Sequence, residues 1–154
     1  MKPIPSHCLA LLLAAAFPAM ATVTVSFPSL TYSDLGPPGK NRDDVKNELA
    51  TYLHVLDAKY LKPADNLWVE VVDVDLAGNR TAGRQDVRVT RGKSDIPMIV
   101  VRYKLERDGK TLAGEDTLSN ATYQQSTMTL QASSTPYYYE KRMLEDWFKE
   151  RFTH

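Results

Sequence analysis

Cysteine is almost absent from this chain: one residue, Cys8, in 154. It opens an apolar run near the N-terminus, whereas a lipidated cysteine must close such a run, directly after small residues. Without that run the chain has no thiol, which excludes a disulfide, a thiolate metal site and a cysteine nucleophile. Histidine is scarce as well, at three residues. His54 is the one inside the expected fold, and helical spacing turns it away from the apolar stripe of its segment, toward water. A Ser-His-Asp triad needs a buried, oriented imidazole. Neither a Gly-x-Ser-x-Gly elbow nor a paired-histidine metal motif occurs. The seven glycines are scattered, so no loop is built to cradle phosphate. A surplus of one charge is missing too: 19 Lys and Arg meet 19 Asp and Glu. A nucleic-acid partner requires a clustered positive excess, so none is expected.

Long apolar runs are absent with one exception. Cys8 to Phe17 is apolar throughout. At about ten residues it is half the length of about twenty that a bilayer span needs. Met1 and Lys2 precede it, Pro18 closes it, and Ala19-Met20-Ala21 presents small residues at both positions a signal peptidase inspects. These are the three parts of an export signal in order. Residues 1–21 are therefore expected to be a signal peptide and residues 22–154 a single α+β domain, periplasmic or secreted, with no integral membrane span in its mature form. Removing the leader takes Lys2 with it and leaves the acids ahead by one.

What remains has clear periodicity. Val23 to Phe27 alternates with period two and reads as a strand. Asp43 and Asp44 open a helix in which Val45, Leu49, Tyr52, Leu53, Leu56 and Tyr60 form one stripe, and Pro63 stops it. Leu67 to Leu76 is a strand apolar on both parities, as a central strand would be. Ala77-Gly78-Asn79 reads as a turn. Val87 to Thr90 is a short strand. Met98 to Leu105 and Thr111 to Leu118 flank Asp108-Gly109, a pair that supplies the positive φ of a tight hairpin. Residues 119–136 are polar and weakly patterned. Tyr139 to Phe152 is a second amphipathic helix, with Met143, Leu144, Trp147, Phe148 and Phe152 on one side. The order predicts an antiparallel sheet of four to five strands with two amphipathic helices packed on one face. The other face is then solvated or a contact surface.

Four stretches resemble a known family. They are Leu49 to Leu61, with its Lys59-Tyr60-Leu61 ending; Val69-Glu70-Val71-Val72-Asp73-Val74-Asp75-Leu76-Ala77-Gly78; Asp86-Val87-Arg88-Val89 followed by Pro97 to Leu105; and Tyr139-Glu140-Lys141 through Phe152. Together they look like the bacterial exported family called domain of unknown function 3016. The resemblance covers nearly all of residues 22–154, and its specific parts are the Asp-x-Asp-Leu-Ala-Gly stretch and the Tyr-Glu-Lys-to-Phe helix at the C-terminal end, the helix alone being a weak signal. It implies a secreted or periplasmic setting in a Gram-negative bacterium. It implies no activity, substrate or cofactor and transfers no catalytic residue. Tyr123 to Pro136 departs from the family pattern.

Three groups of residues are worth following. Asp73 and Asp75 lie two apart on a strand, so their carboxylates share a side. They can act as an acid–base pair with raised pKa values, or end the strand by accepting hydrogen bonds. Two carboxylates fall short of the six to eight oxygens that calcium takes, so no metal and no cofactor is expected. Asp116 meets Asp73 only if their strands are neighbours. Tyr137, Tyr138 and Tyr139, with Tyr123, form either an aromatic contact surface for glycan or peptide, or the staple and edge of the core. Glu140 and Arg151 fall within the apolar stripe of the second helix, where they cap and snorkel, or pair with sheet residues such as Arg88, Arg102 or Asp73. The expected role is a non-catalytic binding or envelope-associated module whose partner is a periplasmic protein or peptidoglycan. The alternatives are a hydrolase using Asp73 and Asp75, and an accessory subunit of a periplasmic complex.

Overall fold

The computed structural model describes residues 20–81, 84–89, 96–120 and 135–153. The expected signal peptide, apart from its last two residues, and Tyr123 lie outside them. The elements run β1 (Thr22–Ser26), α1 (Lys40–Tyr60), β2 (Asn66–Asp75), β3 (Asn79–Thr81), β4 (Arg84–Val89), β5 (Met98–Arg107), β6 (Lys110–Ser119) and α2 (Tyr138–Phe152). Four strands form one sheet in the order β1-β2-β5-β6, and β3 pairs with β4 in a separate antiparallel ribbon. The class is α+β, as the periodicity predicts. The Ala77-Gly78-Asn79 turn leads into the three-residue β3.

One pairing departs from the antiparallel expectation: β1 runs parallel to β2, with Thr22 opposite Asn66 and Ser26 opposite Glu70. The reason is the connection. A helix between two neighbouring strands carries the chain back to the end where it started, so the second strand must run the same way. The other two pairings are antiparallel. The β5–β6 hairpin turns on Asp108 and Gly109 at φ of 51° and 71°, the twisted turn that Asp-Gly favours.

β2 contains the feature that explains its double apolar pattern. Val71 pairs with Val101 but Asp73 pairs with Val100, so Val72 is an extra residue, a β-bulge. Before the bulge the odd residues Leu67, Val69 and Val71 are buried; after it Val74 and Leu76 are. The strand changes phase in mid-course, and each parity contributes one half of the buried face.

Both helices pack on that face. Val45, Leu49, Leu53 and Leu56 of α1 meet Leu144, Phe148 and Phe152 of α2 and the inward residues of β1, β2, β5 and β6 in one cluster. α1 lies toward β1 and α2 toward β6. Tyr103 passes its ring over Gly114, where a Cβ would come within 2.7 Å of the hydroxyl, and meets Trp147 and Phe152 edge-on. Any side chain larger than hydrogen at position 114 would displace that ring.

Glu145 joins the two helices. Its carboxylate accepts from Lys59 Nζ at 2.7 Å, Tyr60 Oη at 2.6 Å and Tyr52 Oη at 3.2 Å. The bonds from Lys59 and Tyr60 hold its pKa down at about 2, against an ordinary 4.5. Burial, reinforced by the adjacent carboxylate, pushes Tyr52 up to about 12. A depressed carboxyl contributes stability above its ordinary pKa and loses it as pH falls toward the folded value. Lys59 is 56% exposed, so solvent screening weakens that contribution. Thermal melts between pH 4.5 and pH 2 should therefore fall more steeply for the wild type than for Glu145→Gln. Parallel curves would show that the clamp contributes nothing.

Candidate functional site

The sheet's second face carries no helix among the described residues. Its side chains come from the parity that the core leaves out: Trp68 and Glu70 on β2, Arg102 and Lys104 on β5, Ala113 and Glu115 on β6. Register sets them in two rows. Trp68 is opposite Lys104, which is opposite Ala113; Glu70 is opposite Arg102, which is opposite Glu115. Along each strand the rows are two residues, about 7 Å, apart.

The second row is an acid–base–acid ladder. Arg102 Nη1 donates to Glu70 at 3.1 Å and Nη2 to Glu115 at 2.8 Å. The two bonds, the one to Glu115 first, raise the guanidinium's pKa and keep it charged. In the first row Lys104 Nζ lies 5.0 Å from the centre of the Trp68 ring and 2.6 Å from Glu106. Trp68 is 38% exposed. Between the two rows and the short side chain of Ala113 lies an open concavity of about 710 Å³. A ring, a cation and alternating donors and acceptors on a rigid sheet are equipment for recognition. They include no nucleophile with an adjacent base.

The residues singled out from sequence are placed as follows. Asp73 and Asp75 lie beyond the bulge on the side of β2 opposite Val74. Asp73 is engaged by the β1–α1 loop: its carboxylate accepts from Ser33 N at 2.7 Å, from Ser33 Oγ, and from Val74 N at 2.9 Å. Burial works to raise its pKa, but these bonds prevail and hold it below the ordinary range. An acid–base pair calls for the opposite direction. Asp75 is half-buried with contacts of its own.

Asp116 does not approach Asp73. β5 separates their strands, and Asp116 faces α2, accepting from Trp147 Nε1 at 2.9 Å and Arg151 Nη2 at 3.0 Å. Glu140 is 2% exposed and accepts the Ala77 backbone N–H at 2.7 Å. Both stripe charges on α2 thus reach groups on the sheet side. Arg102 and Asp73, two of the partners that charge alone puts forward, are engaged elsewhere. The Arg151–Asp116 pair is part-exposed, which limits it to under about 1 kcal/mol.

Tyr137 packs against the core, and Tyr138 and Tyr139 stand at 80° to each other, so these rings do not share a plane. His54 is exposed on α1. Among the described residues no group of three or more His, Cys, Asp or Glu is arranged to hold a metal, and no helix is long and apolar enough to cross a membrane.

The sequence profile described as "Protein of unknown function (DUF3016)" matches residues 21–150. The chain belongs to that family. No curated protein and no solved structure matches the chain. The match takes in every described strand and all but the last two residues of α2, so the two-row face lies entirely within the DUF3016 segment. The sequence pattern leaves this face solvated or a contact surface but singles out none of its residues. Its signal was the polar parity of the hairpin strands, where Arg102 and Lys104 alternate with Val101, Tyr103 and Leu105.

Proposed function

We propose that this DUF3016 protein is an exported, non-catalytic binding module that works in the Gram-negative periplasm and meets its partner on the sheet face that carries no helix among the described residues. The observation that carries the reading is the open concavity beside Trp68, floored by the Glu70–Arg102–Glu115 ladder. Strand pairing fixes the backbone positions from which all three side chains project. The concavity is within the volume range of about 300–1,000 Å³ that suits a bound group. The N-terminal pattern of basic start, apolar run and small-residue cleavage site supports export.

The test uses residues 22–154 as bait in osmotic-shock extract. A partner retained by the wild type and lost by Trp68→Ala/Arg102→Ala is the expected result, with far-UV circular dichroism confirming that the variant folds. Equal capture by both would remove the face from consideration. The intact mass of the native product should begin at Thr22; a cytosolic product still carrying Met1 would overturn export.

A further inference from the structure

Resting on that reading, we infer that the occupant of this face is a glycan chain, stacked on Trp68 and hydrogen-bonded to the Glu70–Arg102–Glu115 row. The argument is one of charge and bonding complementarity. Glu70, Arg102, Lys104 and Glu115 carry two charges of each sign, so the lining has no net charge and favours neither an anionic nor a cationic ligand. The ladder nevertheless keeps bonding capacity. Arg102 has five N–H donors and spends one on each carboxylate. Each carboxylate has further lone pairs to offer. A hydroxyl donates and accepts at once, and a polyhydroxylated, uncharged ligand matches such a row without stripping any ion of its partner.

Trp68 supplies the other half. Among the described residues it is the one aromatic counted with the exposed large apolar side chains. The C–H face of a sugar ring packs on an aromatic face of this kind. Lys104 now holds that position, but its ammonium is also bonded to Glu106 at 2.6 Å. It can leave the ring and keep its carboxylate. The small side chain of Ala113 leaves the far end of the first row open, so a chain can continue past the ring toward the edge strand. A protein partner is the poorer match. The core of a protein interface is depleted in charge, and here one apolar ring is surrounded by four charged side chains.

The experiment is co-sedimentation of residues 22–154 with protein-free bacterial sacculi, chitin and cellulose. It is joined by titration with soluble chito-oligosaccharides, read by tryptophan fluorescence. Trp68 is the exposed indole, and Trp147 at 6% exposure is shielded. Binding to at least one polysaccharide is expected. Trp68→Ala should weaken it by about tenfold or more, Trp68→Tyr should retain most of it, and Arg102→Met should weaken it by about tenfold. Lys104→Ala should strengthen it, because the ring it covers is set free. Response to sacculi alone identifies the cell-wall polymer as the source, and response to chito-oligosaccharides identifies the sugar chain itself. Failure of the wild type to bind any of these overturns the inference. If a protein is instead captured through Trp68, the glycan falls and the binding-module reading stands. If Trp68→Ala/Arg102→Ala equals the wild type in both assays, both fall.

Discussion

Arg107→Met should lower folding stability by about 3–5 kcal/mol, the loss expected when one partner of a buried ion pair is removed. For a domain of this size that is a fall in Tm of about 10–20 °C. Asp65 is 2% exposed and Arg107 is its counterion: Nε donates to Oδ1 at 3.0 Å and Nη2 to Oδ2 at 2.7 Å. Lys62 N adds a further bond at 2.8 Å. Burial works to raise the Asp65 pKa, but the Arg107 bonds prevail and hold it below its ordinary value of 3.8. The same guanidinium donates to the Phe152 carbonyl at 3.0 Å, and the Asp65 carbonyl accepts the Thr22 N–H at 2.9 Å. One pair thus fastens the end of β5, the α1–β2 turn, the start of β1 and the last turn of α2. Without Arg107 the buried carboxylate must ionise unpaired or take up a proton. Asp65→Asn/Arg107→Met should regain part of the loss, because it leaves no unpaired charge. Urea unfolding of the three variants measures this. A loss below about 1 kcal/mol for Arg107→Met would mean that the pair behaves as a surface one.

Phe152→Ala should cost about 3–5 kcal/mol, as truncation of a fully buried aromatic does. Residues this near a chain end are commonly frayed. Phe152 is 0% exposed, with its ring centre 5.0 Å from that of Phe148, 5.2 Å from Trp147 and 5.6 Å from Tyr103. Deleting residues 151–154 should be at least as damaging, since it also removes the carbonyl that Arg107 holds. Thermal melts with near-UV circular dichroism read both. A Tm within a few degrees of wild type for Phe152→Ala would show that the aromatic cluster closes without it.

The helices were legible because their apolar residues recur at a period that only a helix brings onto one side. α1 begins three residues before Asp43 and α2 one residue before Tyr139. The hairpin was legible from Asp108-Gly109, which states a backbone conformation outright. The bulge was not. A strand apolar on both parities looks the same whether it is buried on both faces or changes phase at Val72, and only the register with Val100 and Val101 tells them apart. Asp73 and Asp75 drew attention as a spaced pair. Whether a carboxylate is free for chemistry depends on what the chain brings to it from far away, and Ser33 reaches Asp73 from 40 residues upstream. An uncovered face was expected, but its two rows were hidden for the same reason: each strand shows only an ordinary polar parity, and the rows exist only once β2, β5 and β6 lie side by side.

By itself the sequence determined the α+β class, the two helices, the hairpin, the absence of a thiol beyond Cys8 and the family, because each is written in local spacing or composition. Tertiary structure alone decided the parallel β1, the phase change in β2, the buried Asp65–Arg107 pair and the Trp68 face. These depend on which distant residues become neighbours, and a one-dimensional pattern carries periodicity but not partnership.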